Sequence, residues 1–275
     1  MKKLFQTVLS CTMLVLAVST VFAKAPSRKG KQTEVVVFAA ASMTETLKEI
    51  SGLYAKVAPN VKLVFNFDSS GTLKTQIQQG AACDMFISAG QRQMDQLDIT
   101  APASVNTERL DFVAAPSRVN LLENRVTLVV PRGNTKNIKS FNDMAQALTR
   151  RQILLAMGNN DVPVGQYTQR ILAFFKLDEK ALAAAGRISY GSNVKEVTTQ
   201  VTEASVDCGI IYCTDAFSAR LQIVDYATVD MCGRVIYPAA VLKTSKNKEA
   251  AQAFLNYLST REAMAVFERV GFSKP

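Results

Sequence analysis

Apolar residues in this chain fall into two alternating spacings. Short continuous runs at residues 34–40 (EVVVFAA), Val126–Val130 and Cys208–Tyr212 (CGIIY) predict strands buried on both faces of a sheet. Between such runs the spacing becomes helical. Met43, Leu47, Ile50, Tyr54 and Val57 share one face of a helix over 43–58 that Pro59 stops. Further strands are predicted over 61–67, 85–88 and 153–157, with an extended segment over 235–242. Further helices are predicted over 72–79 (closed by Gly80), 165–175 and 194–204, and near Lys248–Leu258 and Arg261–Arg269. Ser140-Phe-Asn-Asp143 has the form of a capping box ahead of another helix.

Strands alternating with crossover helices predict an α/β architecture of two lobes, each a mostly parallel sheet flanked by helices. Extended segments near 121–130 and 234–242 suit a pair of strands crossing between the lobes. That places lobe I at 32–120 plus 237–275 and lobe II at 121–236. Ligands in folds of this kind bind where strand C-terminal ends meet helix N-termini.

Composition narrows the function. With 275 residues, 48% hydrophobic and 20% charged, the chain sits near the globular average, which excludes collagen, coiled coil and disorder. It contains no histidine, which removes Ser-His-Asp and Cys-His catalysis, HExxH zinc sites and imidazole pH switches. The net charge of +9 is misleading until located. Lys2, Lys3, Lys24, Arg28, Lys29 and Lys31 supply six of those charges, with no acid among the first 31 residues, leaving +3 on the remainder. A body so near neutral has no electrostatic case for binding nucleic acid or an anionic membrane.

The N-terminus has a basic start, an apolar run over 4–18, and small residues at Val21-Phe22-Ala23 and Ala23-Lys24-Ala25. This is the pattern of a secretory signal peptide over 1–23, cleaved after Ala23 or Ala25 and followed by a basic, mobile tail over 24–31. A soluble, exported, periplasmic protein is expected. The apolar run continues past Cys11, which speaks against a lipid-modified cysteine there. Cys83, Cys208, Cys213 and Cys232 follow without a CxxC pair, so a structural metal or redox centre is not expected. Whether any of them pair stays open.

Candidate chemistry clusters at helix starts. Ser42-Met-Thr-Glu45 fits a capping box, and the same geometry also makes an anion site from a hydroxyl and uncovered N–H groups. Phe67-Asp68-Ser69-Ser70-Gly71-Thr72 repeats that logic, with Asp68 or Ser69 as the alternative plain N-cap. Val162-Pro163-Val164-Gly165 and Ser192-Asn193-Val194 precede two more helices, and Tyr212 ends the CGIIY strand. GxSxG, GxGxxG and P-loop motifs are missing, so no catalytic residues are assigned.

At these residues the chain resembles the periplasmic molybdate-binding proteins of ABC importers, within the type 2 periplasmic binding proteins. The blocks VFAAASMTETL, FDSSGTLKTQIQQGAACDMFISAGQRQMD, DVPVGQYTQRIL, SNVKEV, GIIYCTDA and YPAAVL carry the resemblance, in order, from about Thr33 to the C-terminus. It implies the two-lobed fold of that class and a ligand, molybdate or tungstate, held without a cofactor or a bound metal cation. It further implies contacts from the hydroxyls of Ser42 and Ser70, the backbone amides of Val164 and Val194, and Tyr212. A membrane permease is the implied partner of a monomeric binding protein. Asp68, Gly71 and Cys213 depart from the family's usual form, and Asp68 is expected to point away and cap the helix.

A donor-only pocket suits a proton-free tetrahedral dianion. Hydrogen phosphate carries a proton that needs an acceptor, and leaving it unmet costs about 1–3 kcal/mol. The rival readings are a binding protein for sulfate, thiosulfate or phosphate, an exported enzyme using Ser42 or Ser70 as nucleophile, and an adhesin.

Overall fold

The computed structural model describes residues 32–275; the expected signal peptide, the 24–31 tail and Cys11 lie outside the described residues. The chain begins with β1 (Thr33–Ala40), a 3-10 turn (Ala41–Met43), α1 (Thr44–Val57), β2 (Val61–Asp68) and α2 (Ser70–Gln78). Next come β3 (Met85–Ile87), α3 (Gln91–Asp95), β4 (Val119–Asn124), β5 (Val126–Val130) and α4 (Phe141–Thr149). The middle holds β6 (Leu155–Gly158), α5 (Pro163–Phe174), α6 (Glu179–Ala184), β7 (Ile188–Gly191) and α7 (Val194–Thr202). It closes with β8 (Cys208–Tyr212), α8 (Cys213–Ala219), β9 (Gln222–Tyr226), α9 (Val229–Cys232), β10 (Val235–Val241), α10 (Lys248–Leu258) and α11 (Arg261–Arg269).

These strands form two five-stranded sheets, β2-β1-β3-β10-β4 and β7-β6-β8-β5-β9, each flanked by helices in a two-lobed α/β fold. Both sheets are mixed. β1 runs parallel to β2 and β3, but β10 is antiparallel to β3 and β4. β6 runs parallel to β7 and β8, but β5 is antiparallel to β8 and β9. The expected parallel pairing holds only where a crossover helix returns the chain between strands. The antiparallel halves form where the segments passing between the sheets, β4–β5 outward and β10 on the return, join them.

The apolar run of β1 is buried on both faces, as its sequence predicts. Val35, Val37 and Ala39 join the large core cluster, while Phe38 packs with Leu73 and Ile77 of α2 in a smaller one. In β3, Met85 and Ile87 face the first cluster and Phe86 the second. Edge-to-face aromatic contacts extend the large core: Tyr167–Tyr212 at 6.4 Å, Tyr212–Tyr237 at 5.7 Å and Tyr237–Phe272 at 5.2 Å between ring centroids.

Several elements differ from their sequence reading. α2 starts at Ser70, not residue 72, because Ser69 caps it. α5 starts at Pro163, whose missing N–H costs nothing at a first helical position. β7 and β9 lie at the edges of the second sheet and have no continuous apolar run, so periodicity did not mark them. The four cysteines are buried and free. Among the described residues no helix is long and apolar enough to cross a membrane.

Candidate functional site

Ser42 follows β1 in the 3-10 turn, at the strand's C-terminal end. It does not cap α1, which has no side-chain cap at all. Its Oγ lies 3.0 Å from the Tyr237 hydroxyl, and Glu45, the other half of the supposed capping box, pairs with Lys195 instead. The local motif therefore leaves the Ser42 hydroxyl uncommitted to the helix.

The turn after β2 assigns nearly all of its amides. Asp68 Oδ1 accepts from Ser69 N–H at 2.7 Å, Ser69 Oγ accepts from Thr72 N–H at 3.1 Å, and Asp161 O accepts from Gly71 N–H at 3.1 Å. Ser69, not Asp68, is the N-cap, which corrects the expectation for Asp68. The amide left over in the turn is that of Ser70. The Ser70 side chain is fully buried, and its Oγ accepts from Ala89 N–H at 2.9 Å, which leaves its own proton free to donate.

The other two helix starts offer main-chain donors. In α5 the first intrahelical bond runs from Gln166 N–H to Val162 O at 3.2 Å, and the N-cap Val162 has no side-chain oxygen to give. The Val164 N–H accordingly has no intrahelical partner. Gly165 is required beside it, because a Cβ there would lie 2.3 Å from the carbonyl oxygens of Gly158 and Asn159. In α7 the cap residue Asn193 accepts from Lys195 N–H and Glu196 N–H at 2.9 and 3.1 Å. That cap serves the second and third amides and leaves the first, on Val194, uncovered.

Ser42, Ser70, Val164, Val194 and Tyr212 line one small cavity. Its walls come from the ends of β1, β2 and β8 and the starts of α2, α5 and α7. No lysine or arginine is among the described residues lining it; Asp68 is the one residue of charged type on its wall. A larger depression beside Arg125, Phe217 and Tyr226 receives none of these helix starts. Helix N-termini carry partial positive charge, so the small cavity has the electrostatic character that suits an anion without a lysine or arginine on its wall.

Direct contacts join the two sheets' elements around the cavity. Gly71 N–H reaches Asp161 O, the Tyr212 hydroxyl lies 3.4 Å from Ala89 O, and Lys195 Nζ lies 2.8 Å from Glu45 and 3.2 Å from Asp215. Lys195 therefore shares its charge between two carboxylates, the exposed Glu45 and the buried Asp215. Burial pushes the Asp215 carboxyl up to about 6 against the pull of Lys195. Burial also holds the phenols of Tyr212 and Tyr237 far above their ordinary range, so both remain protonated donors.

Two buried polar residues next to the site escaped the sequence reading. Tyr237 and Asn124 meet behind Ser42, with Asn124 Nδ2 3.1 Å from the Tyr237 hydroxyl. A phenol inside the otherwise apolar strand VIYPAAV was the available signal for Tyr237. Nothing local marked Asn124.

The bacterial extracellular solute-binding protein family matches residues 35–273. The Bacillus subtilis protein YvgL, which carries the name of an ABC transporter substrate-binding lipoprotein, is 32% identical over 245 residues, 88% of this chain and 87% of its own. The molybdate-binding protein ModA of Haemophilus influenzae is 30% identical over 275 residues, 99% of each chain. The solved periplasmic molybdate-binding protein of Azotobacter vinelandii superposes with a TM-score of 0.73 at 21% identity, over 88% of this chain and 99% of that one, and shows the shared fold. The relatives serve transport and not catalysis, and the chain belongs with them to the bacterial extracellular solute-binding proteins, in the family of the ABC-importer molybdate-binding proteins.

Proposed function

We propose that this protein captures molybdate, and tungstate with it, in a cleft between lobe I (32–120 plus 237–275) and lobe II (121–236), and delivers it to a membrane permease. Ser42 and Ser70 donate through hydroxyls, Tyr212 by turning its proton from Ala89 O to the anion, and Val164 and Val194 through main-chain amides. The observation that supports this reading is the convergence of three helix starts and the 3-10 turn after β1, with their unused donors, on one cavity lined by no lysine or arginine. Such a wall neutralises a dianion by dipoles spread around it. Because donors come from both sheets' elements, a bound anion favours the closed arrangement over an open one. The signal-peptide pattern over 1–23 supports export to the periplasm, where the mature protein acts as a monomer.

Calorimetric titration with molybdate, tungstate, sulfate and hydrogen phosphate tests the proposal. Uptake of the first two with little or none of the others is the expected result. Preference for sulfate or phosphate, or for thiosulfate in a fifth titration, would reassign the cargo within the same site, and failure of every oxyanion to bind would remove the function.

A further inference from the structure

We propose that Tyr237 is a positioning residue that locks the Ser42 hydroxyl as a donor toward the bound anion, and that Asn124 sets the direction of that lock. The inference rests on the anion-binding reading above and concerns how the same site tells a proton-free anion from a protonated one.

The direction follows from groups that can only donate. Arg125 N–H donates to Asn124 Oδ1 at 2.8 Å, and a backbone amide has no other role, so the orientation of the Asn124 side chain is settled. The amide nitrogen of Asn124 then faces Thr214 Oγ1 at 3.0 Å and the Tyr237 hydroxyl at 3.1 Å, donating to both. With its oxygen accepting from Asn124, Tyr237 has its own proton available for Ser42 Oγ, 3.0 Å away, and the relay takes it in that direction. Ser42 accepts that proton, and its remaining O–H points onward to the cavity it lines. The three side chains are buried, Tyr237 wholly so, which strengthens these bonds in a low-dielectric surrounding.

Ser70 reaches the same polarity by a shorter route, since Ala89 N–H donates to it directly. Both serines thus accept from the protein and donate to the guest. A Ser42 released from Tyr237 could rotate and accept instead, which is what a protonated oxyanion requires. The relay is also tied to the passage between the sheets. Asn124 ends β4 just before the chain crosses to β5, and Tyr237 sits in β10 at a register shift between Tyr237 and Pro238. Such irregularities re-aim side chains, and this one lies beside a proline that cannot donate to the ladder.

Titration calorimetry with molybdate, sulfate and hydrogen phosphate at mildly alkaline pH, on wild type, Tyr237→Phe, Ser42→Ala and the double variant, tests the relay. Tyr237→Phe is expected to weaken molybdate binding about tenfold and to narrow the preference for molybdate over hydrogen phosphate. On the Ser42→Ala background the same change should cost less than about twofold, because the group it acts through is gone. Equal losses with and without the Ser42 hydroxyl, or an unchanged molybdate-to-phosphate ratio, overturn the relay while leaving the anion site standing. If Tyr237→Phe does not melt cooperatively, Asn124→Asp serves. It keeps the acceptor for Arg125 N–H but reverses the group facing Tyr237. Molybdate and sulfate should then weaken together and hydrogen phosphate less; equal weakening of all three overturns the relay. A wild type that takes up none of the three anions overturns both the site and the relay.

Discussion

The two walls of the cavity offer similar donors by different means. On the first-sheet side Ser42 and Ser70 supply hydroxyls, which depend on the identity of the residue. On the second-sheet side Val164 and Val194 supply N–H groups, which any residue but proline possesses. There the encoding sits in the neighbours: Pro163 starts α5, Gly165 allows it to approach β6, and the Asn193 cap leaves the Val194 amide free. One wall is written in side chains and the other in backbone geometry, so substitutions should read them differently.

The largest effect is expected where the walls meet. A Cβ on Gly71 would lie 2.2 Å from Asp161 O, so Gly71→Ala forces α2 and the loop before α5 apart. Molybdate affinity should fall about a hundredfold, because the binding-competent closed form becomes rare, and calorimetry with X-ray scattering on the loaded protein would register it. An affinity that stays put would show that the walls need not touch.

Within the first wall, Ser42→Ala and Ser70→Ala each delete a hydroxyl donor and should weaken molybdate about ten- to hundredfold by calorimetry. Unchanged affinity in both would end the contrast between the walls. A smaller effect of opposite sign is expected from Asp68→Asn, which removes the negative charge of the one residue of charged type lining the cavity. Binding should tighten about threefold, with the gain shrinking as salt is added. Smallest of all, Val164→Ala and Val194→Ala keep their amides and should stay within about threefold of wild type. A loss as large as that of the serines would mean the apolar side chains, not the amides, shape that wall.

The parts that were legible from the sequence are those with a local cause. β8, α10 and α11 stand at their expected limits, because continuous apolar runs and one-sided helical stripes report burial directly. The five candidate residues were legible as strand ends and helix starts, and they share one cavity. The capping motif at Ser42 misled for a physical reason. A serine before a helix satisfies the local pattern equally well whether its hydroxyl turns back to the helix or away to a distant phenol. Asn124 was silent because its partners, Thr214 and Tyr237, are 90 and 113 residues away.

By itself, then, the sequence determined the alternation of strands and helices, the near-neutral body, the exclusion of histidine chemistry and the supply of unspent donors at helix starts. Tertiary structure alone decided that these starts face one another, that each sheet is half antiparallel, and that Ser42 bonds Tyr237 across 195 residues of chain. The division has a physical basis. A helix start is made by a few adjacent residues, but the point at which several starts meet is set by strand order and pairing between distant segments.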